Sequence, residues 1–195
     1  MKRKILCLSV IAIMLAILAA GTIAYFTAEG RAHNVITTGS VEIELKEWAD
    51  ENKTEPFKNL EGVMPNTTVT KIAEIKNIGK SDAWIRVKIQ KSIELKYEGN
   101  PDTDLVELNL NDTDWITDGE YYYYKNALKP GETTTPIFTS VTFKATMGNE
   151  YQDAKATVDV YAQAVQTANN PATDGDVKTV KGWPASEPAE TTKGE

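Results

Sequence analysis

The stretch "NIGKSDAWIRVKIQ", residues 77–90, carries the clearest pattern in the chain. A turn-forming cluster of Asn, Gly, Ser and Asp comes first, and apolar residues then occupy every second position. The alternating apolar residues are Ala83, Ile85, Val87 and Ile89. Because successive side chains of a β-strand point to opposite faces, this pattern predicts a strand with one buried and one solvated face.

Similar signals recur on both sides of this stretch. Alternating or β-branched runs cover residues 41–45, 67–76, 105–110, 121–124, 137–143 and 158–164. The apolar spacing in the second of these runs departs from strict alternation, which predicts a β-bulge. Seven or eight short strands separated by turn signals predict an all-β fold, an antiparallel β-sandwich over residues 41–168. After the leader, the only helical signal is one short turn within residues 147–158.

Two proline turns separate the predicted strands. Pro65 presets the first central residue of a turn, and Asn66 tolerates positive φ at the second. Pro130 is followed by Gly131, the residue that a type II turn prefers there. We therefore expect tight turns before the strands near residues 67 and 137.

The N-terminus has the features of an export signal. Its basic head consists of Lys2, Arg3 and Lys4. Residues 5–20 are apolar except for one serine, and this run is short for a bilayer span of about 20 residues. The pattern predicts a secretory signal helix over residues 1–24, with cleavage between Ala24 and Tyr25. A cut one residue later and an uncleaved N-terminal anchor are the alternatives.

Composition limits the partners and the compartment. Cys7 is the only cysteine and leaves with the leader, so the remaining 171 residues must be held together by their core. Loss of the three basic head residues leaves 18 basic and 28 acidic side chains, a formal charge of −10. This charge argues against nucleic acid and against anionic membranes as partners after cleavage. We expect a secreted protein that is extracellular or associated with the cell surface.

The chemistry of catalysis is almost absent. His33 is the only histidine, which excludes an HExxH zinc motif and a two-histidine metal site. The sequence also has no Gly-rich phosphate loop and no CxxC pair. We therefore expect a protein that is not an enzyme, with no catalytic residues, no metal-binding residues and no cofactor.

Two acidic pairs leave a calcium site open as a weaker hypothesis. Asp102 with Asp104, and Asp112 with Asp114, have the i, i+2 spacing that lets both carboxylates point from one side of a loop. Hard cations such as calcium use such oxygens, although neither pair has the Gly and terminal Glu of an EF-hand loop. The alternative is a solvated acidic loop.

Aromatic residues and the C-terminus leave further alternatives. Residues 121–124 are four tyrosines, which either stack on carbohydrate or a partner protein, or pack within the sandwich. Residues 169–195 are rich in Pro, Thr, Gly and charge, which predicts a disordered or loosely draped tail. Trp183 is the exception, because an indole in such a tail can dock on the sandwich.

Four stretches together resemble a known group. They are "GTIAYFTAEGRAHNVITTGSVEIEL" (21–45), "VMPNTTVTKIAEIKNIGKSDAWIRVKI" (63–89), "EYYYYKNALKPGETTTPIFTSVTF" (120–143) and "VDVYAQAVQ" (158–166). They resemble the TasA/camelysin family of secreted proteins from Gram-positive bacteria in the residues at the exit of the leader, in the proline turns and in the strands. The resemblance covers residues 1–166. Asn66 is a departure, since many relatives have Gly after the proline.

The resemblance implies a jelly-roll-like sandwich and a role as a fibre subunit in the biofilm matrix. It also implies maturation by a SipW-type signal peptidase, with identical or related fibre subunits as partners. The freed N-terminal arm, residues 25–40, would enter the sheet of the next subunit as a donor strand, with Phe26, Val35 and Ile36 as its candidate apolar residues. The alternatives are an arm without a partner and an arm that folds back onto its own sheet.

Two other functions stay open at the level of sequence. One is a non-polymerising adhesion or carbohydrate-binding module at the cell surface, since a sandwich fold does not decide function. The other is a camelysin-like metalloprotease, which the single histidine argues against.

Overall fold

The computed structural model describes residues 35–38, 41–58 and 65–184, and these residues form an all-β sandwich. They all belong to one compact unit, Asn34–Glu195. Within them the strands are β1 (Val35–Thr38), β2 (Ile43–Trp48), β3 (Thr67–Asn77), β4 (Ala83–Glu94), β5 (Val106–Leu108), β6 (Trp115–Asp118), β7 (Tyr121–Tyr124), β8 (Phe138–Phe143) and β9 (Lys155–Gln166). Short 3-10 turns occur at Thr103–Leu105, Asn149–Tyr151 and Val177–Thr179.

The strands form two facing sheets. The five-stranded sheet has the order β1-β9-β4-β7-β6, and the four-stranded sheet has the order β2-β3-β8-β5. Every ladder is antiparallel except that of β1, which runs parallel to β9. The chain crosses repeatedly from one sheet to the other, as it does in jelly-roll sandwiches. The predicted all-β sandwich of two antiparallel sheets is therefore confirmed.

The main core lies between the sheets and is mostly aliphatic. The predicted alternation in β4 is confirmed, because Ala83, Ile85 and Val87 are fully buried there. β4 and β9 pair over all 12 residues of each strand, which is the longest ladder of the five-stranded sheet. Phe138 and Phe143 of the facing sheet are the largest fully buried side chains.

The predicted local features of the strands and turns are also found. Asn66 has a φ of 58° and Gly131 a φ of 83°, and the N–H of Glu132 donates to the carbonyl of Lys129 at 3.0 Å to close the second turn. The register of β3 against β8 shifts between residues 70 and 73, which is the irregularity that a bulge produces.

One strand was missed by the sequence interpretation. β6 follows the acidic pair Asp112 and Asp114, where no strand was predicted, and it pairs with β7 through a two-residue hairpin turn. Gly119, the first turn residue, has a φ of 59°, which glycine adopts without strain. Trp115 is buried and its ring lies 5.1 Å from that of Tyr124. The Asp-Gly step at the end of the acidic stretch was the signal for this hairpin.

The boundary of the predicted tail needs a correction. Residues 167–184, here called the C-terminal segment, pack against the outer face of the five-stranded sheet instead of draping loosely. Val177 and Val180 are buried there, and Trp183 docks on Tyr123 as predicted, with 5.8 Å between the ring centroids. Residues 185–195 lie outside the described residues, as does the predicted signal helix.

Candidate functional site

The described part of the predicted donor strand pairs with the chain's own sheet. Val35 and Ile36 begin β1, whose four residues align with residues 162–165 of β9. Val35 is half-buried and packs against the main core. The predicted cleavage residues Ala24 and Tyr25, and the candidate donor residue Phe26, lie outside the described residues. For β1, therefore, the structure has the fold-back arrangement.

The outer edge of β9 is only partly covered by β1. The N–H of Thr167 donates to the carbonyl of Asp82 at 3.0 Å, so the odd-numbered residues of β9 direct their main-chain groups to β4. The even-numbered residues direct theirs to the outer edge. In the described chain no strand pairs with residues 155–160 on that side. Such an edge can accept an additional strand.

A buried lysine closes this part of the edge. Lys71 of β3 reaches across from the facing sheet, and its Nζ donates to the carbonyl of Val158 at 2.7 Å. The same Nζ lies 2.9 Å from Oε1 of Glu47 and 4.3 Å from the centroid of the Phe57 ring. Its side chain is only 5% exposed. Burial raises the pKa of the nearby Asp159 carboxyl, and the positive charge of Lys71 opposes that rise.

A second unpaired edge lies on the other side of β4. β7 pairs with only three residues of β4, from Arg86 to Lys88. Ala83 exchanges main-chain hydrogen bonds with Leu128 on this side, so the odd-numbered residues of β4 direct their main-chain groups to it. Beyond residue 88, no strand of the described chain continues the ladder on this side.

This second edge borders an apolar groove between β4 and β5, here called the β4–β5 groove. Its apolar lining is made by Ile89, Val106, Leu108, Leu110 and Tyr122. Its charged rim is made by Lys91, Asp104, Glu107 and Lys144. The groove encloses about 930 Å³, including the part open to solvent.

Hydrogen bonds and charge define the rim of the groove. Nζ of Lys91 donates to the carbonyl of Val106 at 2.9 Å and therefore spans the groove from one sheet to the other. Nζ of Lys144 lies 2.9 Å from Oε1 of Glu107, and this hydrogen bond raises the pKa of the lysine. Burial raises the pKa of the Tyr122 phenol, and the negative charge of Asp112 adds to that rise.

The four tyrosines of β7 pack against other residues of the protein. Tyr122 and Tyr124 pack against the main core. Tyr121 and Tyr123 belong to a second cluster under the C-terminal segment, here called the outer cluster, which also contains Trp84, Ile116, Val165, Ala172, Val177, Val180 and Trp183. Tyr123 is buried and the other three tyrosines are partly buried. This packing agrees with the structural alternative for the run and leaves little aromatic surface for stacking on carbohydrate.

The two acidic pairs are engaged in local hydrogen bonds. Oδ1 of Asp102 accepts from the N–H of Asp104 at 2.9 Å, and Oδ2 of Asp114 accepts from the hydroxyl of Thr135 at 2.8 Å. Among the described residues, no three His, Cys, Asp or Glu side chains come together as a metal site would require. His33 lies outside them.

Sequence interpretation missed two lysines, Lys71 at the outer edge of β9 and Lys91 in the β4–β5 groove. Lys91 did carry a signal, because it occupies an inward-facing position between Ile89 and Ile93 in the alternation of β4. Lys71 carried none, because it lies in the bulged part of β3, where alternation does not tell which face a residue takes.

Comparison with protein-family models, with curated proteins and with solved structures gave no match. None of the helices in the described ranges is long and apolar enough to cross a membrane.

Proposed function

We propose that this chain is a secreted structural protein and a subunit of extracellular fibres in a biofilm matrix. A SipW-type signal peptidase would free the N-terminal arm, which then pairs as a strand with an identical or related subunit. The proposal rests on the resemblance of residues 1–166 to the TasA/camelysin family and on the sandwich fold.

The observation that carries the proposal is the position of β1. A strand that is only four residues long and parallel to its single neighbour is held by few main-chain hydrogen bonds. It lies at the edge of the five-stranded sheet. A strand at such an edge can pair with another copy at little cost, and a head-to-tail contact that does not close produces a filament.

Three chains with different starting residues test the proposal. The chain starting at Tyr25 has the whole arm, the chain starting at Val35 keeps β1 but lacks residues 25–34, and the chain starting at Ser40 lacks both. We expect filaments in electron micrographs of the first chain, with light scattering that rises with concentration and time. The second and third chains should stay monomeric, and the second retains all nine described strands as its folding control.

Monomeric behaviour of all three chains, with circular dichroism of a folded β protein, would contradict the fibre proposal. A non-polymerising adhesion role at the cell surface would then be the better hypothesis, and a glycan-binding screen would be the next measurement.

A further inference from the structure

A lysine and a carboxylate contact each other out of water at the outer edge of β9. Nζ of Lys71 lies 2.9 Å from Oε1 of Glu47, and the lysine side chain is 5% exposed. Oε1 of Glu47 is itself buried, and it accepts no hydrogen bond from any described residue. The hydrogen bond of Nζ goes to the carbonyl of Val158. The amine and the carboxyl are therefore in contact without the hydrogen bond that usually fixes such a pair.

The surroundings of the Lys71 amine are mostly apolar. The centroid of the Phe57 ring lies 4.3 Å from Nζ. A narrow cavity beside the lysine is lined by further apolar side chains, namely those of Val141, Phe143, Ala156 and Val158. Water therefore has little access to the amine.

A second pair in the same protein has the same separation but lies in water. Nζ of Lys144 is also 2.9 Å from Oε1 of Glu107, yet its side chain is 37% exposed. Hydration stabilises both charges of an exposed pair, whereas burial disfavours the charged forms of both groups. The two pairs thus differ in solvation and not in distance.

We infer that Lys71 and Glu47 become joined by an intramolecular amide bond. The ammonium first gives one proton to the carboxylate, which produces a neutral amine and a carboxylic acid. Nζ of Lys71 then attacks Cδ of Glu47, the C–OH bond breaks, and the hydroxyl leaves as water with a proton from the nitrogen. The balance needs no oxidant, reductant or cofactor, and the net charge of the pair stays zero.

Contact, orientation and desolvation all favour this reaction at this pair. Two reacting groups held in contact have an effective concentration on the order of 10⁵ M or more when they are well oriented. Cδ is one bond away from Oε1, and the broad terminal torsion of a glutamate side chain lets the carboxyl turn its carbon toward the amine. Exclusion of water also protects the product from hydrolysis.

The bond would give the sandwich a covalent crosslink of its own. It would tie β2, the edge strand of the four-stranded sheet, to β3, and it would close a loop over residues 48–70. Closing such a loop restricts the unfolded chain, as a disulfide does. The chain after the predicted leader contains no cysteine, so it cannot use a disulfide for this purpose. The inference does not depend on the fibre proposal, since the reaction occurs within one chain.

The first test is the intact mass of the chain starting at Tyr25, which keeps every described residue, measured under denaturing conditions. We expect a mass lower by one water molecule than the mass calculated from the sequence. Trypsin should fail to cut after Lys71 and should release residues 47–53 joined to residues 59–76. The full calculated mass, with normal cleavage after Lys71, would overturn the inference.

Two lysine variants locate the bond. Lys71→Met removes the nucleophile but keeps an unbranched apolar side chain, so this variant should have the full calculated mass. Lys144→Met removes the exposed lysine of the comparison pair and should still lack one water molecule. Loss of water that persists in Lys71→Met would overturn the inference. So would a crosslink from Lys71 to Asp159, the other carboxyl on which the charge of this lysine acts.

Substitutions at Phe57 test the part played by desolvation. Phe57→Ala opens the amine to water and should slow amide formation by about tenfold or more, because the charged pair is then hydrated. Phe57→Leu keeps an apolar cover and should react at nearly the parent rate. The crosslinked fraction is followed by mass spectrometry in freshly synthesised chains sampled over time. Equal rates for alanine and leucine would overturn the inference that burial drives the reaction.

Discussion

The two faces of the five-stranded sheet are both covered, but by different kinds of side chain. The inner face packs aliphatic residues such as Val87 and Val160 against the facing sheet. The outer face carries the outer cluster, in which the C-terminal segment lies over Tyr123 and the guanidinium of Arg86 is stacked between two aromatic rings. Cζ of Arg86 lies 3.9 Å from the centroid of the Tyr121 ring and 4.6 Å from that of Trp183.

The difference shows that the two faces are built from contacts with different sequence separations. The inner face follows from alternation within each strand, so each strand contributes to it whatever its partner. The outer face needs a segment from far along the sequence: Nε1 of Trp84 donates to the carbonyl of Asn170, 86 residues away, at 2.8 Å. We expect substitutions on the inner face to destabilise the whole sandwich, and substitutions on the outer face to release mainly the C-terminal segment.

The largest effect is expected from Phe138→Ala on the four-stranded sheet, opposite the inner face. This side chain is almost fully buried, so its loss removes apolar contacts and leaves a cavity. The free energy of unfolding should fall by about 3 to 5 kcal/mol, measured by urea denaturation. A loss below about 1 kcal/mol would contradict the single shared core described for the two sheets.

Trp183→Ala should have a smaller effect and a local one. The indole contacts Tyr123 and Arg86, and loss of the two aromatic interactions should cost about 1 to 3 kcal/mol. Hydrogen exchange should rise in the C-terminal segment and stay unchanged in the centre of β4. Tyr97→Ala is the matched control, because that ring is 73% exposed and its removal should cost less than about 0.5 kcal/mol. Equal losses for the two variants would show that the docked indole adds no stability.

Arg86→Lys separates charge from shape in the outer cluster. The planar guanidinium stacks between two rings and its Nε donates to Oε1 of Gln163 at 2.7 Å. Lysine keeps the charge but cannot reproduce this geometry, so the substitution should cost about 1 to 2 kcal/mol in thermal or urea unfolding. Arg86→Met retains much of the apolar stem and should be no worse than lysine. A fully stable lysine variant would indicate that charge alone accounts for the contact.

The smallest effect concerns pH and Asp159, on the outer face of β9. Burial raises the pKa of its carboxyl in the folded state, with Lys71 opposing the rise. Ionisation of this carboxyl therefore destabilises the folded state. The destabilisation begins as the pH rises past the unfolded carboxyl pKa of about 3.9, and it is complete above the raised folded pKa. Asp159→Asn should raise the urea midpoint at pH 7, and the gain should vanish once the pH falls below the unfolded pKa. A gain that persists in acid would have to come from something other than the ionised carboxyl.

The candidate site could be predicted only in part. The arm was recognised as a segment able to form a strand, and β1 is such a strand, but alternation says nothing about which copy or which edge it pairs with. The groove exists because β7 begins only at Tyr121, opposite Lys88, whereas β4 continues to Glu94. The sequence patterns that set the lengths of β4 and β7 are independent of each other. The difference in length leaves an unpaired edge only when the two strands pair in the folded protein.

By itself, the sequence determined the sandwich, its proline turns at Asn66 and Gly131, and the bulge in β3, because these features depend on side-chain periodicity and on the φ preferences of single residues. Only the tertiary structure decided that the C-terminal segment packs on the sheet, that Lys71 closes one edge, and that a groove remains beside β4. The physical reason is that these features come from contacts between residues far apart in the chain. Their free energy depends on burial and pairing that no local pattern encodes.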